Sequence, residues 1–223
     1  MEIGNFILVL VISYFIGSLP FGFILVKITR GEDIRDISSG RTGGTNAMRA
    51  AGLGIGLFTA ALDILKGTTS VWLARAFAPE NYWLHILAPI AIIIGHNYSL
   101  LLLKREEDGR LRIYGGAGGG PSVGGSIGLW PWSVFILVPV GLFVVFGIGY
   151  ASVATMSVPL ISMLIFAYRA WIGESSWIYV LYGLFAEVLL LWSLRPNIRK
   201  LLDGTERVVG WRARRVKPSS END

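Results

Sequence analysis

The sequence has no cysteine, only two histidines (His85 and His96), and few charges: 16% of residues, against about a quarter in soluble domains. Without cysteine there is no disulfide framework, no thiolate nucleophile and no Cys-ligated zinc or iron–sulfur cluster. Two histidines are too few for a His-rich metal site. What the 223 residues have in excess is apolar side chains, 53% of the chain, with a net charge of +5. That balance excludes a disordered chain, a nucleic-acid arm and most soluble enzymes. It points to a bilayer protein with membrane lipids, not nucleic acid, around it.

Apolar blocks run over residues 4–27, 54–78, 82–103, 132–150, 151–168 and 176–194, each long enough for a helix in lipid. The first opens with Met1-Glu2 instead of a basic stretch and has no small-residue cleavage pattern before Lys27, so it reads as a retained span. Lysine and arginine then orient the chain, because short basic loops stay cytoplasmic. Five lie in residues 27–53, four in 104–112 and eight after Leu194, which places seventeen of the twenty on one side. Arg75 and Arg169 fall at opposite-side helix ends, and Lys66 lies inside a span. An even number of spans conflicts with this distribution. The stretch GGSIGLWP, residues 124–131, is too short to cross alone but suits a half-helix shielded by neighbours. The expectation is an all-α integral membrane protein of about seven transmembrane helices, one of them a half-helix, multi-pass in its membrane. Its N-terminus is outside and its C-terminus cytoplasmic. It forms a single membrane domain over 1–223, with a helical core over 1–206 and a basic tail over 207–223.

The unusual polar segments share the basic face. In residues 38–49, SSGRTGGTNAMR, Gly43 and its neighbours let backbone N–H groups approach an anion. Ser39, Thr45 and Asn46 add neutral donors, and Arg41 and Arg49 offer forks suited to phosphate. The competing reading is a solvated, flexible positive-inside loop. Residues 115–125, GGAGGGPSVGG, hold seven glycines in eleven positions, a phosphate cradle at a helix start or else a linker. The segment lacks a Walker A ending, which argues against nucleotide hydrolysis. GLGIG, residues 52–56, follows no strand and reads as helix-end packing.

Asp63 and Lys66 lie i,i+3 on one helical face inside a span, where an unpaired charge costs about 2.5–3.5 kcal/mol or more. They read as a pair that is structural or that supports the site from behind. Glu187 has no sequence-adjacent partner and is expected to find Lys66 or a hydroxyl on another helix. His96 falls on the loaded face and is a candidate for phosphate binding; His85, beside Tyr82 and Trp83, reads as an interfacial residue.

In order, GSLPFG (17–22), SSGRTGGTN followed by Arg49, DILKG (63–67), GHN (95–97), the glycine-rich segment, YASVAT (150–155) and RPNIRKLLDGTE (195–206) carry a pattern. The ordered set resembles the bacterial acyl-phosphate:glycerol-3-phosphate acyltransferases, the PlsY family. The resemblance implies a seven-helix enzyme with a cytoplasm-facing site, moving a fatty acyl group from acyl phosphate to the 1-hydroxyl of glycerol 3-phosphate. Lysophosphatidic acid and phosphate would be the products. Both substrates are partners, no cofactor is implied and the protein is expected to be a monomer. By the same resemblance Ser39, Arg49, Ser152 and Asn197 are candidate catalytic residues. Arg41, Gly43, Thr45, Asn46, His96, Gly115, Gly116 and Gly118 are candidates for binding phosphate and substrate.

Three departures from the family pattern involve four positions. Ala117 stands where the family has lysine, Leu194 and Pro196 where it has histidine and glutamate, and Arg41 where asparagine is usual. Arg41, Arg110 and Arg112 are the cations available to replace the missing lysine. Two other readings follow. One is a divergent paralogue that binds lipid or acyl phosphates without turnover or uses another acceptor. The other is a small transporter, which the apolar outer halves of the spans disfavour.

Overall fold

The structure is a computed structural model that describes residues 3–215. Residues 216–223, the end of the basic tail with Lys217, lie outside the described residues.

The first apolar block is broken in two. Pro20 has no N–H to continue the ladder, so α1 (Ile3–Ser18) stops and α2 (Phe21–Arg30) begins after it, ending at the left-handed Gly31. A single turn at Ile34–Asp36 leads to the short α3 (Gly44–Ala51), then α4 (Leu53–Phe77) and α5 (Tyr82–Asn97). Strands β1 (Ser99–Arg105) and β2 (Leu111–Tyr114) follow, then α6 (Gly119–Leu129), a turn at Pro131–Ser133 and α7 (Val134–Phe143). A π-helical turn at Val144–Ile148 leads to α8 (Ala151–Trp171), α9 (Ile178–Leu202) and α10 (Gly210–Arg215). By length and composition, four helical stretches are long and apolar enough to cross a membrane, at 3–30, 131–148, 151–171 and 178–202; 82–97 is a shorter apolar helix.

Two segments differ from the sequence expectation. The third block does not stay helical to residue 103: residues 99–105 form β1, paired antiparallel with β2 so that Lys104 faces Arg112. A run of leucines satisfies strand and helix alike, and here the hairpin takes it. The half-helix is α6, which starts five residues earlier than the expected 124–131 and draws its first turn from the glycine-rich segment. Such a glycine-rich helix is weak by itself. Packing sustains it: α6 lies along α4 so closely that a Cβ on Gly67 or Gly124 would run into the other helix's backbone, and Thr68 Oγ1 donates to the Gly124 carbonyl at 2.9 Å.

The interior mixes apolar packing with satisfied hydroxyls, as expected where stray polar groups find no water. Val71, Ile86, Ile93, Phe166, Tyr182 and Leu190 form the main core. Tyr182 Oη donates to the Ser122 carbonyl at 2.7 Å, and Ser126 and Ser162 hydroxyls meet at 2.6 Å. Ile7, Leu57, Leu164, Val188 and Trp192 point outward and are exposed, the distribution suited to a lipid-facing surface. His85 is not interfacial. It is buried, bonded to the Ala78 carbonyl at 2.9 Å and to Tyr179 Oη at 3.0 Å. As read from the sequence, Gly52–Gly56 serves helix-end packing: Gly52 joins α3 to α4, and Gly56 sits against Met48.

Candidate active site

At one end of the bundle the loop before α3, the glycine-rich segment and the ends of α4, α8 and α9 enclose a cavity of about 180 Å³. Its walls are built from local rules. Asp33 caps the turn after α2, accepting from Arg35 N at 2.9 Å and pairing with its guanidinium at 2.6 Å. This partner holds the Asp33 carboxyl below its usual range. Asn46, buried on α3, donates through Nδ2 to the carbonyls of Ile34, Ile37 and Arg41 at 2.9–3.3 Å. Its donors are therefore committed to the loop, and Asn46 contributes shape where the sequence reading made it an anion donor. Thr42 N donates to the Gly115 carbonyl at 3.2 Å, and Gly116 N to the His96 carbonyl at 2.8 Å, stitching the two polar segments to the end of α5. Gly118 caps α6 at φ 92°, a conformation a side chain would strain.

Three helix N-termini converge on the cavity: Gly43–Gly44 of α3, Gly118–Gly120 of α6, and Ala151–Ser152 of α8 all line it. Each brings unpaired backbone N–H groups and the positive end of its dipole. Arg41 and Arg49 line the same space. Arg41 crosses it to α9, donating from Nη1 to the Gly116 carbonyl at 3.0 Å and Ser193 Oγ at 3.1 Å, and from Nη2 to the Ser193 carbonyl at 2.7 Å and Asn197 Oδ1 at 3.3 Å. Asn197 Nδ2 in turn donates to Glu206 at 3.0 Å. Among the described residues no carboxylate lies within 4 Å of either arginine. Burial pulls both below the ordinary arginine value, with nearby Arg207 adding to the effect at Arg49 and Glu206 opposing it at each. Arginine is basic enough to stay charged through such a shift.

Asp63 of α4 lines the cavity, so it borders the site and is not confined to structural support. Lys66 Nζ sits 2.9 Å from Asp63 Oδ1 and 2.9 Å from His96 Nδ1, and donates to the Gly17 and Leu19 carbonyls at 3.0 and 3.2 Å. Those carbonyls lie at the α1–α2 break, so Pro20 creates the seat that the ammonium fills. The predicted i,i+3 pair is present, and Glu187 does not reach Lys66: its Oε2 has no partner.

Of the residues singled out from sequence, Ser39, Arg41, Gly43, Thr45, Asn46, Arg49, His96, Gly118, Ser152 and Asn197 all line the one cavity. Gly115 and Gly116 stand behind it, through their bonds to Thr42, His96 and Arg41. Among the described residues Ser152 Oγ is buried without a partner, and neither it nor Ser39 has a base positioned against it. Arg110 and Arg112 are not drawn in; Arg110 is exposed on the hairpin beside Asp108. Sequence reasoning missed Thr155, Gly119, Gly120 and Glu206 as lining residues. Glu206 stood in the quoted DGTE motif, which was the available signal.

The model of the glycerol-3-phosphate acyltransferase family matches residues 7–204. A glycerol-3-phosphate acyltransferase of Thermus thermophilus is 36% identical over 204 residues, covering 92% of this chain and 95% of that protein. Glycerol-3-phosphate acyltransferase 2 of Moorella thermoacetica is 32% identical over 207 residues, 93% of this chain and 99% of its own. The crystal structure of PlsY (YgiH), an integral membrane glycerol 3-phosphate acyltransferase, in its glycerol 3-phosphate form superposes with a TM-score of 0.77 at 24% identity, covering 96% of this chain and 100% of that one. Its lysophosphatidic acid form gives 0.74 at 24% identity, covering 93% and 96%.

Proposed function

The chain belongs to the glycerol-3-phosphate acyltransferase family, and from that premise we propose that it moves a fatty acyl group from acyl phosphate to the 1-hydroxyl of glycerol 3-phosphate. The observation that carries this reading is the convergence on one cavity of three helix N-termini and two arginines without carboxylate partners among the described residues. That is a surface for two anionic groups held side by side.

Acyl phosphate already carries a good leaving group, so no covalent enzyme intermediate is required. The glycerol hydroxyl oxygen attacks the acyl carbonyl, the carbon–oxygen bond to phosphate breaks, and a phosphate oxygen of a substrate accepts the hydroxyl proton. The protein brings two mutually repelling anions together and stabilises charge on the carbonyl and on the departing phosphate. Arg41, on the Gly116 carbonyl beside Ala117, supplies a cation where the family pattern places lysine; Arg49 supplies the second. Ser39, Thr45 and Ser152 offer hydroxyl donors, the backbone at Gly43, Gly115, Gly116 and Gly118 shapes the phosphate cradle, and His96 closes its floor. Asn197 orients Arg41. Lys66 neutralises Asp63, so the carboxylate at the floor does not repel substrate.

The same reading places the site at the cytoplasmic face of a monomeric protein of seven crossings, counting α4, α5 and the half-helix α6 with the four long apolar stretches, N-terminus outside. It also treats 1–223 as one domain with a basic tail from 207. Cysteine placed near each terminus and labelled from outside the cell checks the orientation: labelling at the C-terminal site overturns it. For the activity, purified protein is given an acyl phosphate and labelled glycerol 3-phosphate. Lysophosphatidic acid and phosphate should appear in equal amounts. No product, under conditions where a Thermus relative turns over, refutes the proposal.

A further inference from the structure

The bundle has a second cavity, of about 290 Å³, at the end opposite the active site, and the sequence motifs do not account for it. Arg75 of α4 and Arg169 of α8 both line it, together with Tyr82, Trp130, Ser175 and Ser176. Apart from Lys66 inside a span, these two arginines are the basic residues that stand apart from the seventeen expected on the other face, and both are gathered into this one space. Cations at this end run against the usual orientation signal, so their placement needs a reason.

The charges do not cancel. Arg169 lies 4.3 Å above the Trp130 ring and 2.8 Å from Glu174, whose carboxylate is 57% exposed. Arg75 has no carboxylate within 4 Å among the described residues and donates to the Leu129 carbonyl at 2.9 Å. Two guanidinium groups against one exposed carboxylate leave one positive charge over. Ser175 Oγ, on the cavity wall, is buried without a partner among the described residues. Tyr82 on the cavity wall is exposed, as are Trp132 and Trp177, close in the chain to the lining residues Trp130 and Ser176, the kind of aromatic belt that sits at headgroup depth. Trp171, two residues after Arg169, and Phe135, stacked on Trp132, are exposed apolar surface.

We infer that this cavity binds the phosphate of an anionic phospholipid headgroup, with Arg75 and Arg169 as the cations, Ser175 as a neutral donor and the acyl chains lying on the apolar surface outside. The fork geometry of arginine suits a phosphodiester, and the aromatic rim places it at the depth where such a group lies. The inference rests on the chain spanning a membrane and is independent of the acyl transfer.

Native mass spectrometry of the intact protein in micelles, with phosphatidylglycerol or phosphatidylcholine added, tests it. The unchanged protein should retain phosphatidylglycerol in preference to phosphatidylcholine. R75Q and R169Q should each weaken that retention about tenfold, the loss expected for one charge-assisted contact. Because removing Arg75 also frees the Leu129 carbonyl, two further variants leave both arginines in place. S175D should weaken retention and E174Q should strengthen it several-fold, with a thermal melt confirming that each is folded. Equal retention of the two lipids, or E174Q and S175D indistinguishable from the unchanged protein, overturns the inference. Inorganic phosphate at millimolar concentration is the remaining arm: if it displaces phosphatidylglycerol, the site takes free phosphate and the lipid assignment fails.

Discussion

The two ends of the helical bundle each hold a pair of arginines in a cavity, yet they are built differently. At the end with Arg41 and Arg49, three helix N-termini enter the cavity and no carboxylate approaches either guanidinium within 4 Å among the described residues. At the end with Arg75 and Arg169, one arginine is held by Glu174 and stacked on Trp130, and aromatic residues form the rim. The contrast shows that a cation does not by itself make a reactive site. Backbone dipoles aimed at the same point, cations left free of acids and enclosure by packed helices make a place where charge can be moved between substrates. A cation tied to a carboxylate and an aromatic face is a place where charge is merely held.

Breaking the neutrality of the reactive end should have the largest effect. K66M leaves the buried Asp63 carboxyl without its ammonium partner, with only His96 Nδ1 nearby at 3.5 Å, and should destabilise by about 3–5 kcal/mol, read as a lower melting temperature in micelles. The double variant K66M/D63N should recover much of that loss; if it does not, Lys66 matters for its bonds to the α1–α2 break and not for Asp63.

Next in size, R41Q or R49A should lower kcat/KM by about 10²–10³, because each removes charge stabilisation at the reacting groups; R49A should move the melting temperature little, while R41Q should lower it as well, since it gives up bonds to Gly116, Ser193 and Asn197. An unchanged rate for R41Q would take away the cation that stands beside Ala117, and the two ends would then be more alike than the geometry says.

G118A should cost about 1–3 kcal/mol, since alanine is strained at φ 92° and its Cβ would press on Leu190. It should also slow turnover by misplacing the first turn of α6. A stable, fully active variant would detach the α6 N-terminus from the site.

The smallest effect concerns Arg35, the arginine at the reactive end that does have an acid partner. Its pairing holds Asp33 below the ordinary carboxylate range, so the pair's contribution is present above about pH 3.9 and fades as pH falls through the lowered Asp33 value. In a pH series of melting temperatures, D33N should remove this acid-side loss, worth within about 1 kcal/mol for a partly exposed pair. A D33N profile parallel to that of the unchanged protein would show that Asp33 acts only as the cap of the turn.

Several of these features are legible in the linear chain. The apolar blocks at 54–78 and 151–168 coincide closely with α4 and α8, because a span must be long and continuously apolar to survive in lipid. Other blocks are less well marked. Leucines 100–103 sit in a hairpin because the pattern of a short apolar run is the same in a strand and a helix, and its flanks at Ser99 and Tyr114 decide the pairing. The start of α6 at Gly119 is hidden because consecutive glycines have little helical tendency without α4 against them. His85 is misplaced by its neighbouring aromatics, which suggest an interface, whereas the contacts that bury it come from Ala78 and from Tyr179, far away in sequence.

For the site, the glycine- and hydroxyl-rich segments at 38–49 and 115–125 announce themselves by composition, and Ser152 and Asn197 by resemblance. Composition does not reveal that Asn46 spends its donors on the loop, that Arg41 reaches Ser193 and Asn197, or that Arg110 stays out on the hairpin. Each depends on which distant backbone lies within a side chain's reach.

Residence in a bilayer and the family to which the chain belongs both follow from the order of its amino acids, since hydrophobic length and ordered motifs are properties of the linear chain. Helix packing is what makes three helix starts meet in one cavity, seats Lys66 beside Asp63 on the carbonyls freed by Pro20, and gathers Arg75 and Arg169 into a second cavity. Such convergence brings residues more than a hundred positions apart within a few ångströms, as Arg41 and Ser193 show, and leaves no trace in local composition.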